Sequence, residues 1–92
     1  MKFNHGRLLM TRGVNDLIAV STVFAKHVHL SLKRHIAGDW GNVCDDDRVA
    51  NEVALQNGER LFSVYNKEGL PKIWIITEWD RSATTVLFPE EY

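Results

Sequence analysis

Lys72-Ile73-Trp74-Ile75-Ile76-Thr77-Glu78, then Trp79-Asp80-Arg81-Ser82, then Ala83-Thr84-Thr85-Val86-Leu87-Phe88 is the stretch that decides the fold. Apolar and β-branched residues recur with period two on either side of a short polar segment, the pattern of two strands joined by a tight turn. Alternation puts Ile73, Ile75 and Thr77 on one face and Trp74, Ile76 and Glu78 on the other. In the following strand Ala83, Thr85 and Leu87 oppose Thr84, Val86 and Phe88, and Pro89 stops the run.

Upstream, Arg60-Leu61-Phe62-Ser63-Val64-Tyr65 keeps the same period, and Asn66-Lys67-Glu68-Gly69 supplies a hairpin turn with glycine at the positive-φ position. Before Gly58 the period changes to that of helices. A helix over residues 23–37, capped by Ser21 or Thr22, carries Phe24, Val28, Leu32 and Ile36 down one face and ends at Gly38. A helix from Cys44 or Asp45 to about Gln56 opens on three aspartates that complement its dipole; Val49, Val53 and Gln56 mark one side. Val14 to Val20 forms a shorter helix after Gly13, and Leu8-Leu9-Met10 a short strand. Residues 1–92 thus form a single α+β domain of order β-α-α-α-β-β-β. Its three helices pack on a C-terminal antiparallel sheet of three strands, or four if the Leu8 strand adds to an edge.

Composition bounds the function. Ninety-two residues, 45% hydrophobic and 25% charged, make one ordinary globular core. The single cysteine, Cys44, has no internal disulfide partner and is followed by three aspartates, which disfavour a thiolate. The longest uncharged stretch, Leu17 to Ala25, falls well short of the roughly 20 residues that span a bilayer. No membrane association and a cytoplasmic location are expected. Net charge is −1, yet residues 1–36 hold six Lys and Arg and all four histidines against one acid, while residues 37–92 hold five against eleven. The two halves can attract each other within the fold, support association between copies, or give the first half a phosphate-facing patch through Lys26, Lys33 and Arg34. With a pI near 6.4, nucleic-acid binding is weakly supported.

Two constellations stand out. The first is the Glu78-Asp80-Arg81-Ser82 turn with Thr84 and Thr85. It reads as a hydrogen-bonded hairpin turn, since Asp and Ser bond their own backbone there, or as an anion or partner site with Arg81 as forked donor. A charge-assisted pair of Arg81 with Glu78 or Asp80 is expected. The second is the corner of His35, Asp39 and Trp40. His35 projects with the apolar stripe, so it reads as a core histidine bonded to a carbonyl or to Asp39; general acid-base work needs a second titratable group, for which Glu78 is the nearest choice. Trp40 is expected to fold onto the core or line a pocket. Metal and cofactor signatures are lacking: His27 and His29 are two apart, and the aspartate run lacks calcium-loop spacing.

The residues His35-x-x-Gly38-Asp39-Trp40-Gly41, Asn51, Gly58-x-Arg60-Leu61-x-Ser63-x-Tyr65 and Trp74-Ile75-Ile76-Thr77-Glu78-x-Asp80-Arg81-Ser82-x-Thr84-Thr85-x-Leu87-x-Pro89-x-Glu91-Tyr92 resemble a family of small bacterial proteins. Those proteins are carried on plasmids, integrative elements and gene cassettes, and are usually labelled plasmid-related. The resemblance covers residues 35–92 well and the first third loosely. It implies a mobile-element setting and a shared fold. The leading expectation is a non-enzymatic accessory protein that binds a protein or small ligand through His35, Asp39, Trp40, Tyr65, Glu78, Asp80, Arg81 and Thr84, with homo-oligomers compatible. The alternatives are a metal-independent ribonuclease-like hydrolase and a nucleic-acid-binding regulator.

Overall fold

A computed structural model describes residues 2–92. Strand β1 (Arg7–Met10) leads into helices α1 (Arg12–Val20), α2 (Thr22–Ile36) and α3 (Asp45–Asn57); strands β2 (Leu61–Tyr65), β3 (Ile73–Thr77) and β4 (Ala83–Leu87) follow, then a 3-10 turn at Pro89–Glu91. The order is the one read from the sequence, and the domain has the two-layer α+β architecture. Thr11 and Ser21 cap α1 and α2, each hydroxyl accepting from the backbone N–H three residues on. Gly58 closes α3 in the left-handed conformation.

The sheet runs β1-β4-β3-β2. The β2-β3-β4 meander is antiparallel, but β1 lies parallel to β4, with Leu8 beside Thr84 and Met10 beside Val86. The sheet is therefore mixed rather than wholly antiparallel. A strand separated from its neighbour by three helices can return in either direction, and its local period does not say which.

Register settles which face carries the helices. Ser63, Ile75 and Val86 align across the meander, as do Leu61, Thr77 and Thr84. The main core joins Tyr65, Ile73, Ile75 and Val86 to Val14, Phe24, Val28 and Leu32. The buried side of α2 is Phe24, His27, Val28, Ser31, Leu32 and His35, a heptad stripe holding three polar residues, and not the four-residue stripe through Ile36. A second cluster sets Trp40 against Ala54 and Leu61. Val49 and Val53 of α3 face solvent, because α3 packs on β2 through Asn51 and Ala54. No helix among the described residues is long and apolar enough to cross a membrane.

Candidate functional site

The structure divides the predicted constellation between the two faces of the sheet. His35, Tyr65 and Thr84 are fully buried on the helix-covered face and Trp40 nearly so. Glu78 lines a shallow hollow with Ile76, Thr85 and Leu87 on the opposite face. The pairing of His35 with Glu78 is not formed.

His35 sits instead in a buried row of hydroxyls. Its Nδ1 lies 2.5 Å from Ser63 Oγ and its Nε2 2.8 Å from Thr77 Oγ1; Thr77 Oγ1 lies 2.7 Å from Thr84 Oγ1, which donates to the His5 carbonyl at 2.7 Å. Each hydroxyl has one proton, so the terminal carbonyl orients the whole row. Thr84 spends its proton on His5; Thr77 must donate to Thr84 and accept from His35 Nε2–H; Nδ1 must then accept from Ser63. His35 is thereby a neutral Nε2–H tautomer with both nitrogens occupied. Burial, and then the nearby Arg81 charge, push its pKa down to about 3. Its partners are Ser63 and Thr77 rather than a carbonyl or Asp39, and the ring presents no free nitrogen to a substrate. Phe3 and Trp40 meet its ring edge-on at 5.4 and 5.6 Å.

Asp39 turns outward. Its carboxylate takes a bidentate pair from Arg34 at 2.8 and 3.1 Å and the Gly41 N–H at 3.1 Å. Those bonds, Arg34 foremost, hold its pKa below the usual carboxylate range. Tyr65 donates its hydroxyl to the Asp39 carbonyl at 2.6 Å, while the Arg34 guanidinium lies 5.0 Å over its ring. Trp40 folds onto the core, and its Nε1–H donates to Glu52 at 2.7 Å.

The Arg81 turn is built from backbone. Asp80 Oδ1 accepts from the Ser82 N–H at 3.0 Å, the Asx turn expected of those residues. Arg81, at φ +62°, is the only described non-glycine residue in the left-handed region. Its guanidinium meets no carboxylate. It donates to the carbonyls of Glu59 at 2.6 Å, Glu78 at 3.1 Å and Ala54 at 3.0 Å, tying the end of α3 to the β3-β4 turn. The expected pair with Glu78 or Asp80 is absent because these carbonyls, left over where α3 ends, need donors that can fork.

What sequence reasoning passed over are the two edges of the sheet. At β2, Asn51 accepts from the Phe62 N–H at 3.0 Å and donates to its carbonyl at 2.6 Å, standing in for a neighbouring strand. The Trp40–Asn42 loop adds Val64 N–H to the Trp40 carbonyl at 3.2 Å and Asn42 N–H to the Val64 carbonyl at 2.6 Å. Gly41 makes this approach: at φ +73° a Cβ there would strike the Val64 carbonyl and the Tyr65 ring. That edge is closed. At β1, Arg7 and Thr11 direct their N–H groups to the carbonyls of Ser82 and Val86, so alternation turns those of Leu8 and Met10 away from the sheet. Leu8, Leu9 and Met10 are 48, 38 and 39% exposed. On the helix-free face, at the β2–β3 side of the sheet and away from β1, Phe62, Trp74 and Tyr92 are in edge-to-face contact, with centroids 5.1 and 5.7 Å apart.

Among the described residues no group of three or more His, Cys, Asp and Glu side chains is placed to hold a metal ion. Comparison of the chain with protein-family models, with curated proteins and with solved structures finds no match.

Proposed function

We propose that this chain is a small protein-binding module, in the mobile-element setting that its sequence resemblance implies, and that it recognises its partner by strand addition at β1. The observation that carries the reading is the asymmetry of the sheet edges. One is sealed by a side-chain amide and a glycine-bearing loop; the other leaves two outward N–H groups and three apolar side chains in solvent. Exposed edges of this kind recruit another chain unless charge, proline or a covering element blunts them, and here the one charged residue of β1, Arg7, stands at its start.

The reading replaces the corner of His35, Trp40, Tyr65 and Thr84 as recognition surface, since their polar atoms already have hydrogen-bond partners within the fold. The test is affinity capture from the native host, followed by identification of the captured proteins. Leu8→Pro removes one outward N–H while sparing the ladder to β4, because the β4-facing donors belong to Arg7 and Thr11. The parent is expected to retain a protein partner that Leu8→Pro loses at an unchanged circular-dichroism spectrum. Full retention by Leu8→Pro, or loss only with Trp40 and Arg81 variants, overturns the reading.

A further inference from the structure

A cleft of about 590 Å³ lies between α2 and the turn joining β2 to β3. It shares no residue with the β1 edge. Three cations line it, Lys26, Arg34 and Lys67, and no carboxylate does. Arg34 is committed to Asp39 and to the face of Tyr65. Among the described residues, Lys26 and Lys67 meet no carboxylate at all.

His27 lines the same cleft. Only 8% of it is exposed, and its Nε2 has no hydrogen-bond partner among the described residues. Buried imidazole nitrogens almost always find one, so an unanswered one beside unpaired cations points to a ligand that supplies an acceptor. The charges converge on this ring: burial first, then Lys67 and Arg34, hold its pKa below the ordinary histidine value. The Tyr65 backbone opposes that shift. Val23 and Leu30 give the cleft an apolar wall, with Leu30 half exposed and Val23 more so.

We infer that this cleft binds a small organic phosphate, its dianionic head held by Lys26, Lys67 and the His27 imidazole and its apolar body laid along Val23 and Leu30. The charge count selects the head group. Two unpaired ammonium groups match a phosphate monoester, which carries about −1.5 to −2 near pH 7, better than a monocarboxylate. The imidazole adds a neutral N–H donor that needs no proton uptake to engage an oxygen. The apolar wall gives an ester an advantage over the bare ion.

Titration calorimetry with phenyl phosphate, benzoate and inorganic phosphate tests this, with the His27 ring resonances followed by NMR. Phenyl phosphate is expected to bind saturably and move the His27 signals, with benzoate and inorganic phosphate each weaker. Lys67→Ala, on an exposed turn where folding is not at stake, should weaken phenyl phosphate roughly tenfold or more, as for any lost charge-assisted bond. His27→Gln, which keeps an N–H, should bind better than His27→Leu. Equal affinity for benzoate or for inorganic phosphate, indifference to Lys67→Ala, or no binding at millimolar phenyl phosphate overturns the inference. So does a single-stranded oligonucleotide that binds far more tightly with a steep salt dependence, since that would mark a polyanion surface rather than a small-molecule cleft.

Discussion

At the scale of single residues, the histidine on α2 that looked chemical is a structural group whose protonation is fixed by its neighbours. In the row Ser63, His35, Thr77, Thr84 and the His5 carbonyl, every proton has one place to go. His35 is therefore expected to stay a neutral Nε2–H tautomer from pH 7 to below pH 5, visible in the nitrogen shifts of its ring by NMR. A charged or Nδ1–H ring at pH 6 would refute the assignment. His35→Leu leaves the buried Ser63 hydroxyl without its imidazole partner, while Thr77 still donates to Thr84, and should cost about 1–3 kcal/mol for the buried group left unsatisfied. Chemical denaturation of the variant measures it. Thr77→Val keeps the shape but leaves the buried His35 Nε2–H without its acceptor, so it should cost a comparable amount, about 1–3 kcal/mol, although Ser63 still reaches Nδ1.

At the scale of elements, the ties that hold the layers together run through backbone groups met by side chains. Asn51→Ala removes both bonds to Phe62 and exposes the β2 edge; a loss of about 1–3 kcal/mol is expected in denaturant melts. Asn51→Asp should be worse than an isosteric change suggests, since a carboxylate cannot donate to the Phe62 carbonyl. Arg81 tests two effects in one position. Arg81→Ala loses the bonds to Ala54 and Glu59 and keeps the positive φ, whereas Arg81→Gly loses the same bonds and relieves the backbone. Gly should therefore be the more stable of the two by about 1 kcal/mol. These ties also mark where sequence reading ends. The meander was legible from Arg60 to Phe88 because strand period and turn chemistry are local, and Gly38, Gly58 and Gly69 fell where left-handed turns need them. The parallel pairing of β1 and the outward turn of Val49 and Val53 are decided by packing between distant segments, which local apolar spacing does not encode. The candidate site residues are dispersed for a related reason. Polar residues at element ends looked like a shared surface, but strand alternation sends Thr77 and Glu78 to opposite faces, and the polar residues of α2 at His27, Ser31 and His35 point inward. The (i, i+3, i+4) spacing of Phe24, His27, Val28, Ser31, Leu32 and His35 was the signal available in the chain.

At the scale of the whole molecule, the pH dependence of stability gathers these groups under one sign. His35 and His27 have folded pKa values below their unfolded value near 6.5, so between that value and the folded one the unfolded chain binds more protons, and stability falls with acidification. For His35 the window runs from 6.5 down to about 3, with a slope of up to about 1.4 kcal/mol per pH unit for one proton. Asp39 and Glu91 have lowered carboxyl pKa values, so each stabilises the fold above its ordinary range and loses that contribution as pH falls through its folded value. No cited shift opposes these, and acid unfolding should begin below pH 6.5. Glu91 offers the sharpest check because it joins the two ends of the fold. Its carboxylate accepts from the Thr11 hydroxyl at 2.6 Å, the Gly13 N–H at 3.2 Å and the Phe88 N–H at 2.8 Å, fastening the final turn to the positive end of α1. Glu91→Gln keeps the shape and removes the charge. The variant should melt below the parent at pH 7, and the gap should close as pH drops through the acid range, because the parent's own carboxyl is protonated there. A constant gap from pH 7 to pH 3 would show that Glu91 acts by packing alone, and no gap at pH 7 would show that the tie between the final turn and α1 does not bear on stability.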